Sequence, residues 1–440
     1  MKIAVIRLNM FEHISSDAMK PIFFGIIKSL TPERFGIEFF DERTDRLPER
    51  IDADIIAFSV ETFTAKRAYI LAKKYRTGKN TIVMGGFHAS VMADEMLKYA
   101  DTVLIGDAEG VWERFLADCE KGCPERTYIS GETAPLTELH DDGKTYSHRY
   151  HGIGVYQLSR GCKFDCAFCS IKTMYRCVRR KPVDMTVREL KAARERIIFF
   201  ADDNIFYDRA SAVELFTALI PLRKKWACQI SMDAARDDEL LTLMKKSGCI
   251  LVLMGFESLN AESLSEMHKA ANAAADYETV IRNIRRHGLM IYGTFVLGCD
   301  GDKPDVFEKT LDFAVRNGIA VTNFNPLIPM PGTKVYEKME REGRLRYKKW
   351  WLSDNYRYGE TAFVPKNMTP EELRDGCLDI RTRFYSRGCV IKRLFGNAYN
   401  FLPVNFFVFV AANIISRREI KSKQGQILGG VLGEADTDKT

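Results

Sequence analysis

Two successive series of short apolar runs, alternating with helix-like stretches, restrict what this chain can fold into. The first series lies at 2–8 (KIAVIRL), 37–40, 54–60 (DIIAFSV), 81–84 (TIVM) and 102–105 (TVLI), with helical spacing at 18–30 and 65–75. The second lies at 155–159, 197–201 (IIFFA), 227–232, 250–256 (ILVLMGF), 290–297 and 321–328, with helical stretches such as 239–247 and 277–287. Continuous apolar strands alternating with helices predict parallel sheets covered on both faces. The fold class is therefore α/β. Residues 1–120 are expected to form a doubly wound, Rossmann-like domain, and 121–150 a linker. Residues 151–345 are expected to form a partial (β/α)6 TIM-type barrel, since six repeats are too few for a closed eightfold one. A helical C-terminal substrate or lid domain at 346–427 and a disordered tail at 428–440 complete the expectation. In both α/β units, ligands belong beyond the carboxyl ends of the strands.

At 440 residues the chain is too long for one ordinary domain. Its net charge of +6 is a mild surplus, no argument for nucleic acid. The 11 Cys are too sparse for a disulfide scaffold. The opening MKIAVIRLNM has no signal-like apolar segment, so a reducing, cytoplasmic location is expected.

Three of those cysteines stand together. Gly161-Cys162-Lys163-Phe164-Asp165-Cys166-Ala167-Phe168-Cys169 is C-x3-C-x2-C on a loop just after a strand. Four-iron clusters are held by Cys thiolates and normally take four, so three would leave one iron open. The competing reading is a zinc site with Cys177 as fourth ligand.

This loop, placed after the first strand of a partial barrel, resembles the radical S-adenosylmethionine (SAM) superfamily over residues 154–345. The resemblance implies a 4Fe-4S cluster on Cys162, Cys166 and Cys169, whose open iron binds SAM and cleaves it reductively to a 5′-deoxyadenosyl radical. It implies Phe168 beside the adenine, and the run Asp202-Asp203-Asn204 on the methionine amino group. An N-cap is the alternative role for that run. Ser231 ends the third barrel strand with Asp233 beyond it. Glu257 ends the fourth and resembles the family's acidic SAM contact, with a buried ion pair as its alternative. Gly293 and Gly298 permit close backbone approach, and Pro329–Thr333 resembles the family's PGT turn. Arg176, Arg179 and Arg180 either neutralise charge at the site or form a solvated face. An electron donor such as flavodoxin or ferredoxin is implied.

A doubly wound domain ahead of such a barrel resembles the cobalamin-binding branch of the superfamily. Gly85-Gly86-Phe87-His88, Asp94-Glu95 and Gly106-Asp107-Ala108-Glu109 follow its pattern in order. Gly85 and Gly86 are the expected contacts for a large nucleotide tail. No D-x-H-x-x-G motif is present, so Asn9, Met10 and the 62–64 loop are the candidates for the face below cobalt. A first domain that binds no corrin is the alternative. The implied reaction is C-methylation of an unactivated carbon. The rivals are a radical SAM cyclase, oxidoreductase or rearrangement enzyme, and a non-catalytic iron–sulfur or zinc scaffold.

Residues 390–415 are apolar and aromatic and precede Arg417-Arg418, Lys421 and Lys423. Pro403, Asn405 and Asn413 break the run, so it is too short to span a bilayer. It reads as a docking helix on the barrel or as a peripheral membrane contact over a hydrophobic or lipid-like small-molecule substrate. Trp350, Trp351, Tyr347, Tyr356 and Tyr358 either line a substrate pocket or pack.

Overall fold

The computed structural model describes residues 1–430 apart from 16–17, 133, 140–144, 147–149, 151, 270–271 and 273–275. Part of the expected linker, and residues 431–440, therefore lie outside the described residues.

Each series of apolar runs becomes one parallel sheet. The first holds β1 (Lys2–Arg7), β2 (Gly36–Asp41), β3 (Ile55–Ser59), β4 (Thr81–Gly85), β5 (Thr102–Ile105) and β6 (Thr127–Ile129). Their order is β2-β1-β3-β4-β5-β6. Alternate residues feed opposite faces. Val5, Ala57, Val83 and Leu104 pack with helices Ile22–Leu30 and Trp112–Glu120, and Ile6, Ile56, Phe58 and Met84 pack with Ala65–Tyr75. The doubly wound reading holds, and the strand order reverses between β1 and β3, where such sheets open a crevice. β6 falls inside the segment expected as a linker. Three residues with little apolar pattern suffice for it because an edge strand needs only one partner, here β5.

The second sheet holds β7 (Ile153–Tyr156), β10 (Ile197–Phe200), β11 (Lys225–Gln229), β12 (Cys249–Glu257), β13 (Met290–Leu297) and β14 (Val321–Pro326). All pair in parallel in the order β14-β13-β12-β11-β10-β7, an open six-stranded barrel segment. Between β7 and β10 a small antiparallel pair, β8 (Ser159–Arg160) and β9 (Arg179–Arg180), pinches the base of the cysteine loop.

The segment expected as one helical C-terminal unit divides instead. Residues 350–362 complete the core of the first sheet, where Trp350, Trp351 and Tyr356 are fully buried. Helices Pro370–Phe384, Arg387–Phe395 and Pro403–Lys423 belong to the barrel side, where Ile380, Phe384 and Phe409 join the core of the second sheet. The first residues of the segment expected as a disordered tail are placed: Leu428 is buried, and the Gly429 N–H donates to the Met10 carbonyl at 2.8 Å.

Trp350 and Trp351 are packing residues, and their indole N–H groups name their neighbours. Trp350 donates to the Pro329 carbonyl in the PGT turn at 2.9 Å, and Trp351 to Glu95 Oε1 at 3.1 Å. Glu95 also accepts from Tyr69 at 2.8 Å, faces His88 Nε2 at 3.3 Å and has the Lys349 ammonium 3.0 Å from Oε2. His88 is thus a satisfied core residue. Burial alone would raise the Glu95 pKa, but the bonds from His88, Trp351 and Tyr69 outweigh it and hold it down at about 2. A depressed carboxyl pKa adds stability above its unfolded value and loses it as pH falls. We therefore expect Glu95→Gln to cost about 2 kcal/mol at pH 7. In urea titrations this deficit should shrink as pH falls from 4.5 towards about 2.

Candidate active site

The cysteine loop is fixed at its stem by the carboxyl end of β10. Asp202 Oδ1 accepts from the backbone N–H and the hydroxyl of Ser159, both at 2.5 Å, and Oδ2 from the Leu158 N–H at 3.1 Å. Asp203 Oδ2 accepts from the Gly161 N–H at 2.7 Å. Gly161 has φ +92°, and a Cβ there would sit 2.5 Å from the Cys177 carbonyl, so only glycine permits the turn into Cys162. Burial raises both carboxyl pKa values, that of Asp202 to about 6. Asp202 is 3% exposed and its acceptors are engaged, so it positions the loop rather than facing a ligand. Asn204 donates to Ser231 Oγ at 3.1 Å, and Ser231 donates to Asp233. Lys163 bridges from the loop to Asp233 at 2.6 Å.

The far side of the loop is tied to later elements. The Ala167 N–H donates to Met267, and the Val335 N–H to the Ala167 carbonyl. Lys334 pairs with Asp165 at 2.6 Å. Cys166 is buried, and Cys162, Phe168 and Cys169 are half-buried. Burial pushes the Cys166 thiol up and that of Cys169 up to about 11, and the neighbouring thiols add to it. Such thiols become thiolates when metal replaces the proton.

The structure adds Lys269 to this site. Its ammonium lies 3.1 Å from Glu257 Oε1. Burial lowers its pKa, but Glu257, Cys166 and Cys169 together raise it, so it stays cationic beside the thiols. Glu257 ends β12 at φ +64°, where the register against β13 shifts. This bulge folds its carboxylate back over Gly255, whose missing side chain leaves the room. No spacing in the sequence tied Lys269 to the cysteines; its only signal was a loop after the fourth barrel strand. Thiol donors, one compensating cation and open barrel strand ends fit a 4Fe-4S cluster. Among the described residues, no three His, Cys, Asp or Glu side chains could share one metal ion. The three thiols of an iron–sulfur cluster each take a different iron and need not converge so closely.

The remaining cysteines stand apart. Cys177 is exposed, with its thiol 3.5 Å from the Glu132 carbonyl. Cys299 is buried and its pKa raised by burial, the state of a packing thiol.

A cavity of about 230 Å³ opens on the face of the first sheet, under the helix Ile22–Leu30 and against the barrel side. Val5, Ile26, Val83, Leu104 and Trp112 form apolar walls; Gly85 and Gly86 form part of the sheet edge. Gln157, Arg160, Met174 and Tyr175 close it from the barrel side. Gly86 has φ +98°, and a Cβ there would meet the Val60 carbonyl at 2.9 Å. Apolar walls and open backbone at the β1/β3 crevice suit the tail of a large nucleotide-bearing cofactor. Asn9 and Met10 do not line the cavity. Asn9 is turned inward, donating to the His13 carbonyl at 2.7 Å while its N–H meets Glu42. Met10 packs under the returning chain end.

The two halves are clasped where cavity and loop meet. Arg160 makes a bidentate pair with Glu109, at 2.9 and 3.0 Å, and reaches Asp107 at 2.8 Å. Arg179 also pairs with Asp107, and Tyr175 donates to it. Arg176 pairs with Glu132 and Arg180 with Asp208, both near the surface. Burial lowers the Arg160 pKa, yet Glu109 and Asp107 raise it further, so the guanidinium stays charged.

With this geometry in place, comparison with known proteins identifies the domain that carries the cysteine loop. The model of the radical SAM superfamily matches residues 156–314. The chain is an enzyme with a radical SAM domain. Its radical SAM domain is the barrel segment carrying Cys162, Cys166 and Cys169. Among curated proteins, the bacteriochlorophyllide d C-12(1)-methyltransferase of Chlorobaculum tepidum is 29% identical over 410 residues, 90% of this chain and 89% of that protein. The bacteriochlorophyllide d C-8(2)-methyltransferase of the same organism is 26% identical, covering 75% of this chain and 79% of that protein. Among solved structures, the radical SAM methyltransferase TsrM of Kitasatospora setae, with cobalamin and a [4Fe-4S] cluster bound, shares the fold. The TM-score is 0.67 at 13% identity, over 96% of this chain and 99% of that one.

Replacing Cys162, Cys166 or Cys169 by Ala should lower reconstituted iron from about four per chain to near zero, measured anaerobically, with far-UV circular dichroism unchanged. For the clasp, a double-mutant cycle of Arg160→Lys with Glu109→Gln should give a coupling energy of about 1.5 kcal/mol or more.

Proposed function

We propose that this enzyme is a cobalamin-dependent C-methyltransferase acting on an unactivated carbon of a large, hydrophobic ring substrate. The observation that carries it is the cavity at the β1/β3 crevice, because Arg160, Met174 and Tyr175, from either side of the cysteine run, close its barrel side. A cofactor held there by Gly85, Gly86 and the apolar wall adjoins a site where a substrate carbon is activated. When bound, the cluster supplies an electron for the cleavage of SAM to a 5′-deoxyadenosyl radical, and cobalamin supplies the transferable methyl group.

The chain's own residues do the rest. Cys162, Cys166 and Cys169 hold the iron, and Lys269 offsets the charge of their thiolates. Asp202 and Asp203 hold the stem of the loop. Asn204, Ser231 and Glu257, at the ends of β10, β11 and β12, are the polar groups we assign to SAM, with half-buried Phe168 beside its adenine. The ring-shaped substrate class rests on the names of the two methyltransferase relatives, and a one-electron donor protein completes the set of partners.

The test is anaerobic reconstitution with iron, sulfide and hydroxocobalamin. The wild-type chain should retain about one corrin per chain, as Rossmann-type cofactor sites do, and Ala57→Phe, which fills the cavity floor, should lower retention at least tenfold while leaving the four-iron absorption intact. Wild-type protein that retains no corrin, or a variant that retains it fully, overturns the reading. A substrate that loses hydrogen without gaining labelled methyl would instead favour ring closure or oxidation.

A further inference from the structure

The helix Pro403–Lys423 buries two amides against the barrel. Its fully buried residues are Asn405, Phe409 and Asn413, one turn apart, while Val404, Val408, Val410, Ala412 and Ile420 pack partly buried against the same core. Both amides are satisfied by the protein. Asn405 donates to the Tyr399 carbonyl at 3.0 Å, and Asn413 to the Ala320 carbonyl at 3.2 Å. Asn413 also accepts from Arg393, a fully buried guanidinium that donates to the Ala320 and Phe384 carbonyls and lies 3.6 Å from the Phe384 ring. The helix is therefore fixed in this orientation by directional bonds, and its outward face is not the accident of a loose contact.

That outward face is apolar. Phe407 is 67% exposed and Phe395, on the preceding helix Arg387–Phe395, is 70% exposed. Phe401 links the two helices: its ring is 5.3 Å from Phe395 and 6.4 Å from Phe406, which is also exposed. Eight of the 13 exposed large hydrophobic side chains among the described residues fall between Ile391 and Ile414. Single exposed apolar residues are ordinary, but a contiguous patch marks a contact. The flanks are cationic. Residues 386–424 contain seven Lys or Arg and one acidic residue, Glu419, which pairs with Lys423. Arg387, Lys392, Arg417, Arg418 and Lys421 are exposed at the margins of the patch. No helix among the described residues is long and apolar enough to cross a membrane.

We infer that this patch seats the enzyme on the surface of an anionic lipid bilayer. Phe395, Phe401 and Phe407 enter the headgroup boundary and the flanking cations meet lipid phosphates. An apolar face with a basic rim and no spanning helix is the arrangement that interfacial binding requires. A second copy of the chain fits less well, because two such rims would bring like charges together.

The test is co-sedimentation of the full reconstituted chain with vesicles of phosphatidylcholine alone and of phosphatidylcholine with 30% phosphatidylglycerol, at about 0.1 M and 1 M salt. Binding is expected to the anionic vesicles at low salt, at least tenfold weaker at high salt and weaker still to phosphatidylcholine. Phe395→Ser with Phe407→Ser should reduce anionic binding at least tenfold, and so should Arg417→Glu with Arg418→Glu. These residues are exposed, and unchanged cluster absorption and thermal unfolding in each variant exclude misfolding. Wild-type protein that stays in the supernatant overturns the proposal, as does a Phe pair variant that binds like wild type. A stable dimer in light scattering that the Phe pair variant abolishes also overturns it, by assigning the patch to a second copy.

Discussion

One buried guanidinium holds the two halves of this molecule in working relation. Arg160 stands at the end of the two-residue strand that leads into Gly161 and Cys162, and both its carboxylate partners belong to the first domain, after β5. A buried charge left without its partners is expensive, commonly 3–5 kcal/mol. The loop carrying the cysteines and the edge of the first sheet therefore cannot separate without stranding at least one charge in a poor environment. Arg179 repeats the arrangement from the other side of the same loop. The cavity and the cysteine loop become neighbours through these pairs, and the coupling between an electron-transfer site and a second cofactor site rests on them.

The barrel uses its strand ends economically. Of the polar run after β10, Asp202 and Asp203 spend their oxygens on the stem of the loop and Asn204 turns to Ser231. After β12 a bulge and a left-handed backbone at Glu257 bring a carboxylate back over the strand to Lys269. Backbone strain of this kind costs of order 1–3 kcal/mol and persists where the surroundings enforce it. Here the enforcing partner is a cation that also faces the thiols.

Strand periodicity and the cysteine spacing were legible in the sequence because both are local: a run of six residues reports its own burial, and eight residues contain all three thiols. The carboxylates after β5 were visible as a motif, but their purpose was not, since Arg160 lies 51 residues beyond Glu109 and only the fold joins them. Lys269 was invisible for the same reason. The place of Asn9 was not legible either: the end of a first strand normally faces ligand, whereas here Glu42 and the His13 carbonyl draw Asn9 into its own turn. Trp350 and Trp351 left open whether they lined a pocket or packed; the Glu95 cluster and the PGT turn bury both. In the C-terminal aromatic run, composition showed the apolar surplus, but not that two amides would be among the residues turned inward.

The first sheet does not finish its own core. Trp350, Trp351, Leu352 and Leu428 lie in the same apolar cluster as Ile6, Phe58 and Met84. A nascent chain that has completed all six strands of that sheet must still wait some 220 residues for the tryptophans and about 300 for Leu428, at a synthesis rate of about 5–20 residues per second. During those tens of seconds the helix Ala65–Tyr75 presents an uncovered apolar face. Synthesis in the cell should therefore depend on chaperone cover, and truncations ending before residue 350 should aggregate even though they contain every strand of both sheets.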